Sequence, residues 1–273
     1  MCRVLEPHRL PGEVLPPLDE DVWELYDGAT DWTQSRDLAA EMPERLAALQ
    51  RLWLIEAVKY NVLPIDDRRF ERLNPTIAGR PQLFTGTTQV LFPGMKRLSE
   101  NSVLDVKNRS FAVTAAVQTP AASIPNGVII AQGGGFGGWA LYVREGRAKF
   151  VYSLLGMQEF VTEAKEEVTS ETQQIRVEFA YDGGGLGRGG DVTLYYDGRD
   201  VGSGRVDQTQ PMIFSADETT DIGDDYGTPV SADYGGASRF NGRIDLVEIE
   251  LGEDDHSHLI DPGEVARVAV SRQ

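Results

Sequence analysis

The chain has 273 residues, 41% of them hydrophobic and 25% charged, the balance of a globular protein with room for one large domain and a smaller appendage. Asp and Glu number 43 against 26 Lys and Arg, giving a net charge of −17; this argues against nucleic acid or an anionic membrane as partner, since either needs clustered cations. The single cysteine, Cys2, rules out an intrachain disulfide and a cysteine-rich zinc site, and beside the initiator Met it reads as part of a frayed terminus.

In chain order, residues 1–17 are rich in proline, lack periodicity and read as an irregular arm. No apolar segment of the secretory kind opens the sequence and no run of about 18 apolar residues follows, so a cytoplasmic protein with no membrane span is expected. Pro43 suits the first position of a helix, and Glu44 favours the positive end of its dipole. Leu46, Leu49, Trp53, Ala57 and Tyr60 then recur at helical spacing, which predicts a helix near 43–60, closed by Pro64. Its apolar stripe needs a surface to pack against.

From about residue 83 the period changes. Runs at 110–117, 127–132, 139–146, 148–154, 174–182, 191–198 and 243–251 are continuously apolar or alternate, with Gly, Pro, Asp and Asn between them. Ile175, Val177 and Phe179 alternate with Arg176 and Glu178, as do Val192, Leu194 and Tyr196 with polar neighbours; Asp197-Gly198 is a hairpin turn. The fold expected is mainly β, an antiparallel β-sandwich or jelly roll of the concanavalin or laminin-G kind, over 83–255, with a tail at 256–273. No βαβ alternation appears, so a parallel nucleotide-binding sheet is not expected.

Several stretches carry residues capable of chemistry. The glycine-rich segments at 133–138 and 183–190 lead into strands rather than helices, so they read as hairpin loops and not phosphate cradles. Glu248 and Glu250 share one strand face, opposite an expected core face of Val247, Ile249 and Leu251; a glycoside hydrolase needs two such carboxylates, but charges on an outer strand face are routine. His8, His256 and His258 are the only histidines, and the last two sit in an acidic stretch that at most binds a divalent ion adventitiously. Asp217, Glu218, Asp221, Asp224, Asp225 and Asp233 concentrate hard oxygen donors in one loop. Either a calcium-stabilised rim loop or an ordinary acidic surface loop fits this pattern, and the spacing does not match an EF-hand. There is no G-x-S-x-G elbow to anchor a serine nucleophile.

The segment from Trp23 to Arg68 resembles the C-terminal region of bacterial type I arylsulfatases. The match is carried by Trp23-Glu24-Leu25-Tyr26, Asp31, Asp37-Leu38-Ala39, Glu41 and Pro43-Glu44-Arg45-Leu46. It continues through the blocks at 74–86, 95–108, 127–143, 177–198 and 211–223, which are similar to the β-sandwich extension of the larger arylsulfatases, while residues 1–17 show no such likeness. The resemblance implies an 18–82 remnant of the sulfatase C-terminal subdomain ahead of the sandwich. Sulfatases of this type use a formylglycine made within a C/S-x-P-x-R signature and a calcium ion held by an early DDxG pair. This chain has no such signature, since Cys2 is followed by Arg3-Val4, and Asp224-Asp225-Tyr226-Gly227 spells DDxG only in an all-β setting far from where the family places it. The expectation is a sulfatase C-terminal fragment with no catalytic residue and no metal ligand of its own. Calcium and formylglycine would belong to a separate catalytic chain docking on 18–82. The alternative is a free-standing, lectin-like sandwich that binds a saccharide or sulfated ligand, with Tyr142, Tyr152, Tyr195, Tyr196, Tyr226 and Tyr234 as stacking faces.

Overall fold

The computed structural model describes residues 2–3, 20–63, 65, 70–79, 83–120, 122–235, 238–252 and 258–260. The chain divides into two units, Met1–Leu73 and Asn74–Gln273. Most of the irregular arm expected at 1–17, and most of the tail expected at 256–273, lie outside the described residues.

In the first unit, β1 (Cys2–Arg3) pairs antiparallel with β2 (Trp23–Glu24), and helix α1 spans Pro43–Lys59. The acidic residues between them act as turn organisers. The Asp37 carboxylate accepts the Leu25 and Ala39 N–H groups, and those bonds hold it below the usual carboxylate range. Asp31 accepts from Arg36 and Ser35 N–H, which lowers it to about 2. Arg36 closes the loop on Glu41.

Pro43 opens α1 without a side-chain cap, and Asn61, at φ 53, ends it as Val62 N–H turns back to the Ala57 carbonyl. Trp53 meets Trp23 edge to face at 5.8 Å, and Ala57 is buried. Tyr60, expected in the same stripe, is instead exposed, as are Leu52, Leu54, Ile55 and Val58 on other faces.

The second unit begins with a short helix, α2 (Pro75–Ala78), and then is almost wholly β. Its strands are β3 (Thr88–Leu91), β4 (Phe111–Gln118), β5 (Gly127–Gly134), β6 (Gly137–Arg144), β7 (Arg147–Leu154), β8 (Gln158–Glu163), β9 (Gln174–Tyr181), β10 (Arg188–Tyr196), β11 (Arg199–Gln208), β12 (Thr220–Ile222) and β13 (Arg243–Leu251). They form an antiparallel β-sandwich. One sheet has six strands in the order β11-β10-β9-β4-β13-β3, the other five in the order β12-β5-β6-β7-β8. β4 lies between β9 and β13, so strands distant in sequence close the larger sheet as jelly-roll connections require.

Between the sheets, Phe111, Trp139, Phe150 and Phe179 pack ring to ring, surrounded by Ile129, Leu141, Val177, Leu194, Val247 and Ile249. Trp139 Nε1 donates to Gln132 Oε1 at 2.9 Å, so the buried indole N–H is satisfied. Both glycine-rich segments are hairpin connections, β5 to β6 and β9 to β10. The turn at Asp197-Gly198 has positive φ at both residues, as a tight hairpin needs.

The outer faces are not left bare. After β12 the chain crosses the outside of the five-stranded sheet, where Val230 and Tyr234 bury against Val128, Ala131, Ala140, Tyr142 and Val151. On the six-stranded sheet, Ile260 covers Leu246, and its N–H donates to Gln174 Oε1.

Candidate functional site

The acidic loop is where sequence reasoning placed the strongest metal candidate. All of its carboxylates but that of Asp217 accept from protein donors among the described residues. Asp221 accepts from Arg97 N–H at 2.7 Å and from Thr219 Oγ1, Asp224 from Asp225 N–H and Ser238 Oγ, and Glu218 from Thr228 N–H. Asp233 takes Tyr142 Oη at 2.9 Å and Lys149 Nζ at 3.0 Å; burial acts to raise it, but those two bonds hold it below the usual range. Asp225 accepts from Tyr234 Oη at 2.6 Å and Val230 N–H at 2.9 Å through Oδ2, while its buried Oδ1 has no partner among the described residues. Burial pushes Asp225 up to about 6 and raises Asp221 as well. Among the described residues no three His, Cys, Asp or Glu side chains converge as metal ligands. In this structure the carboxylates of Asp221, Asp225 and Asp233 fasten the loop to its neighbours.

The glutamate pair is also structural. Glu248 was expected to face solvent or a cleft, but it is only 3% exposed, on the outer side of β13. Glu250 lies 2.8 Å from Arg176 Nη1, whose buried guanidinium also meets Glu178 at 2.7 Å and Thr114 Oγ1 at 2.7 Å. His258 Nδ1 reaches Glu178 at 2.7 Å, and its ring stacks on Tyr195 at 4.3 Å. The buried Arg176 guanidinium is held as the centre of a bonded network whose glutamates and histidine reach the surface. His8 and His256 fall outside the described residues.

The tyrosines are mostly committed too. Tyr142, Tyr152, Tyr196 and Tyr234 are buried, and burial raises the phenol of each above its ordinary value, Tyr196 to about 12. Tyr152 and Tyr196 accept backbone N–H from Gln210 and Ala148, Tyr195 lies under His258, and Tyr226 lies under Lys96 at 4.0 Å. None of these rings is an open stacking face.

The open concavity lies elsewhere, at one rim of the five-stranded sheet. A depression of about 290 Å³ is bounded by the β5–β6 turn, the β7–β8 turn and residues 229–232. The three segments approach so closely that side chains are excluded. A Cβ at Gly156, already at φ +67, would stand 2.6 Å from the Gly135 carbonyl oxygen, and one at Gly134 2.7 Å from that of Thr228. Ser153 and Glu159 face one another across β7 and β8, with Gly138 next in register on β6. Glu159 Oε2 accepts the Ser231 hydroxyl at 2.9 Å. Ser153 is 1% exposed and makes no side-chain hydrogen bond among the described residues. On the hairpin tips beside it, Phe136 is 74% exposed and Met157 79%. The sequence reading missed Ser153, Glu159, Phe136 and Met157. The only signal was a large apolar residue set in each of two glycine-bearing turns, which periodicity does not register.

No family model matches the chain, and no curated protein matches it. Among solved structures it is similar to a native heptameric SAP-like pentraxin from Limulus polyphemus, at 14% identity and a TM-score of 0.33 over 60% of this chain and 73% of that one. It is similar also to the receptor-binding domain of botulinum neurotoxin type G, at 14% identity and 0.35, covering 66% of this chain. A botulinum neurotoxin type C structure gives 15% and 0.39, covering 70%. The chain spans less than half the length of the two toxin structures, 46% and 44%. These are distant likenesses of fold; the sandwich itself is defined by the pairing of its own two sheets.

Proposed function

We propose that the chain is the non-catalytic C-terminal part of a type I arylsulfatase, in which the first unit docks on a sulfatase catalytic domain and the sandwich is an accessory module. The observation that carries this reading is the surface of α1. Ile55 and Val58 are each 63% exposed, and with Leu52 and Leu54 they make the helix apolar on more sides than its own unit covers. Four exposed aliphatic side chains on one helix, beside its polar residues, are a surface that a partner can cover. The residues of the sulfatase resemblance build the same unit, and the sequence holds no formylglycine signature.

Neither group implied by that resemblance finds its place on the described residues. The carboxylates of the DDxG string are bonded to Val230, Tyr234 and Ser238.

The test has two arms. The purified chain should hydrolyse no aryl sulfate with or without calcium, and turnover surviving re-purification would overturn the reading. It should also associate with a separately produced arylsulfatase catalytic domain. Ile55→Glu together with Val58→Glu should weaken that association by at least about tenfold, since each buried aliphatic side chain contributes roughly 1.5–3 kcal/mol. Absence of association, or an unaffected double variant, would refute the docking role.

A further inference from the structure

We propose that the depression at the rim of the five-stranded sheet is a saccharide subsite that takes one neutral, unsulfated pyranose unit. Three features of its chemistry select this ligand. The Ser153 hydroxyl is nearly buried and unpartnered among the described residues, and it lies in the lining of the depression, where a ligand hydroxyl can complete it. Directly opposite, Glu159 spends one oxygen on Ser231 and keeps Oε1 unbonded among the described residues, an acceptor for a second hydroxyl, with Gln158 beside it. Phe136 and Met157 then stand at the edge as exposed apolar faces of the kind that pack on the C–H face of a sugar ring.

Size and charge narrow the class. About 290 Å³ is at the lower limit of ligand cavities, enough for a single ring rather than an extended chain. The only ionisable side chain in the lining is Glu159, so a sulfate or carboxylate on the sugar would meet a negative charge with no cation to offset it. The floor is preformed, because the glycine contacts that join the two hairpin tips leave little to be ordered on binding.

This inference stands apart from the sulfatase reading, since a chain that fails to bind a catalytic domain can still bind sugar, and the reverse. Its test is an amide-resolved NMR titration of the full chain with neutral glucose-, galactose- and mannose-based tetrasaccharides, each paired with its sulfated counterpart. At least one neutral sugar should bind in the millimolar range or tighter, with perturbations concentrated at 134–136, 153–159 and 228–232. Phe136→Ala and Ser153→Ala, neither of which removes a core contact, should each weaken binding by about tenfold, and the sulfated counterpart should bind at least about tenfold more weakly. The proposal is overturned if no neutral sugar perturbs these residues at about 20 mM, if the perturbations map elsewhere, if the sulfated form binds more tightly, or if both variants bind like the parent.

Discussion

Replacing Asp225 with Asn tests whether the loop across the five-stranded sheet is held by a carboxylate that would be better uncharged. Asp225 is 8% exposed; one oxygen accepts two hydrogen bonds and the other, Oδ1, is buried without a partner among the described residues. Burial is the main cause that raises its pKa from an ordinary 3.8 to about 6, with Asp221 and Glu218 adding to it and the bonds from Tyr234 and Val230 opposing. Between those two values the folded chain binds more protons than the unfolded one, so stability falls as pH rises through the window from about 4 to about 6. The contribution is most favourable below pH 4 and is lost above pH 6. At neutral pH the ionised group costs about 3 kcal/mol relative to an unperturbed carboxyl.

The Asn amide keeps an oxygen for Val230 N–H and Tyr234 Oη and carries no charge. Asp225→Asn should therefore stabilise the chain at pH 7.5 by about 1–3 kcal/mol, less than the full amount because its NH2 replaces an oxygen in a tight space. For a chain of this size that raises Tm by several degrees, roughly 2–4 °C per kcal/mol. Urea unfolding of parent and variant at steps from pH 4 to pH 8 reads the difference, which should shrink towards zero or reverse at pH 4, where the parent carboxyl is itself protonated. A variant less stable than the parent at pH 7.5, or a difference that does not change with pH, would refute the reasoning.

Two further substitutions probe the other packed regions. Arg176→Met takes the buried guanidinium from between Glu178 and Glu250, whose partial exposure lets water meet part of the loss, and should cost about 1–2 kcal/mol by urea denaturation; a loss below about 0.5 kcal/mol would mean the network is slack. Gly156→Ala combines a left-handed backbone at φ +67 with a Cβ placed 2.6 Å from the Gly135 carbonyl oxygen. It should lose about 2 kcal/mol and also abolish sugar-dependent NMR shifts at the rim, whereas near-parental stability would show that the hairpin tips are free to separate.

The sandwich was legible because β4, β5, β6, β7, β9, β10 and β13 combine apolar side chains with marked turns. Four strands were not. β3 and β12 are short, and β8 reads as polar because only Phe160 and Thr162 turn inward. β11 carries Gly202 and Gly204, which argue against a strand on propensity. Their cause is tertiary: a Cβ at Gly202 would lie 2.7 Å from the Glu163 carbonyl oxygen, and one at Gly204 2.2 Å from Thr162 Oγ1, so the edges of the two sheets meet only where side chains are absent. The site was hidden for a related reason. Acidic residues and tyrosines advertise chemistry in a sequence, but here their bonds are spent on the fold, and the residues with free valence are a serine and a glutamate on adjacent strands whose register no single sequence displays.

The strands do record where the cover of the five-stranded sheet ends. β5 is buried at every position and β6 at all but its last, because Val230 and Tyr234 seal their outer side while the core seals the inner one. Their sequences are accordingly continuous apolar runs rather than alternating ones. In β7 the outward residues Val151 and Ser153 are still covered, whereas in β8 the outward residues Glu159, Val161 and Glu163 are exposed. The boundary between sealed and open sheet therefore runs between β7 and β8, and Ser153 and Glu159 are the pair that straddles it at the rim. A hydroxyl at such a boundary can be met from the open side, by water or by a ligand hydroxyl. That placement, more than the size of the depression, is the reason to look for a ligand there.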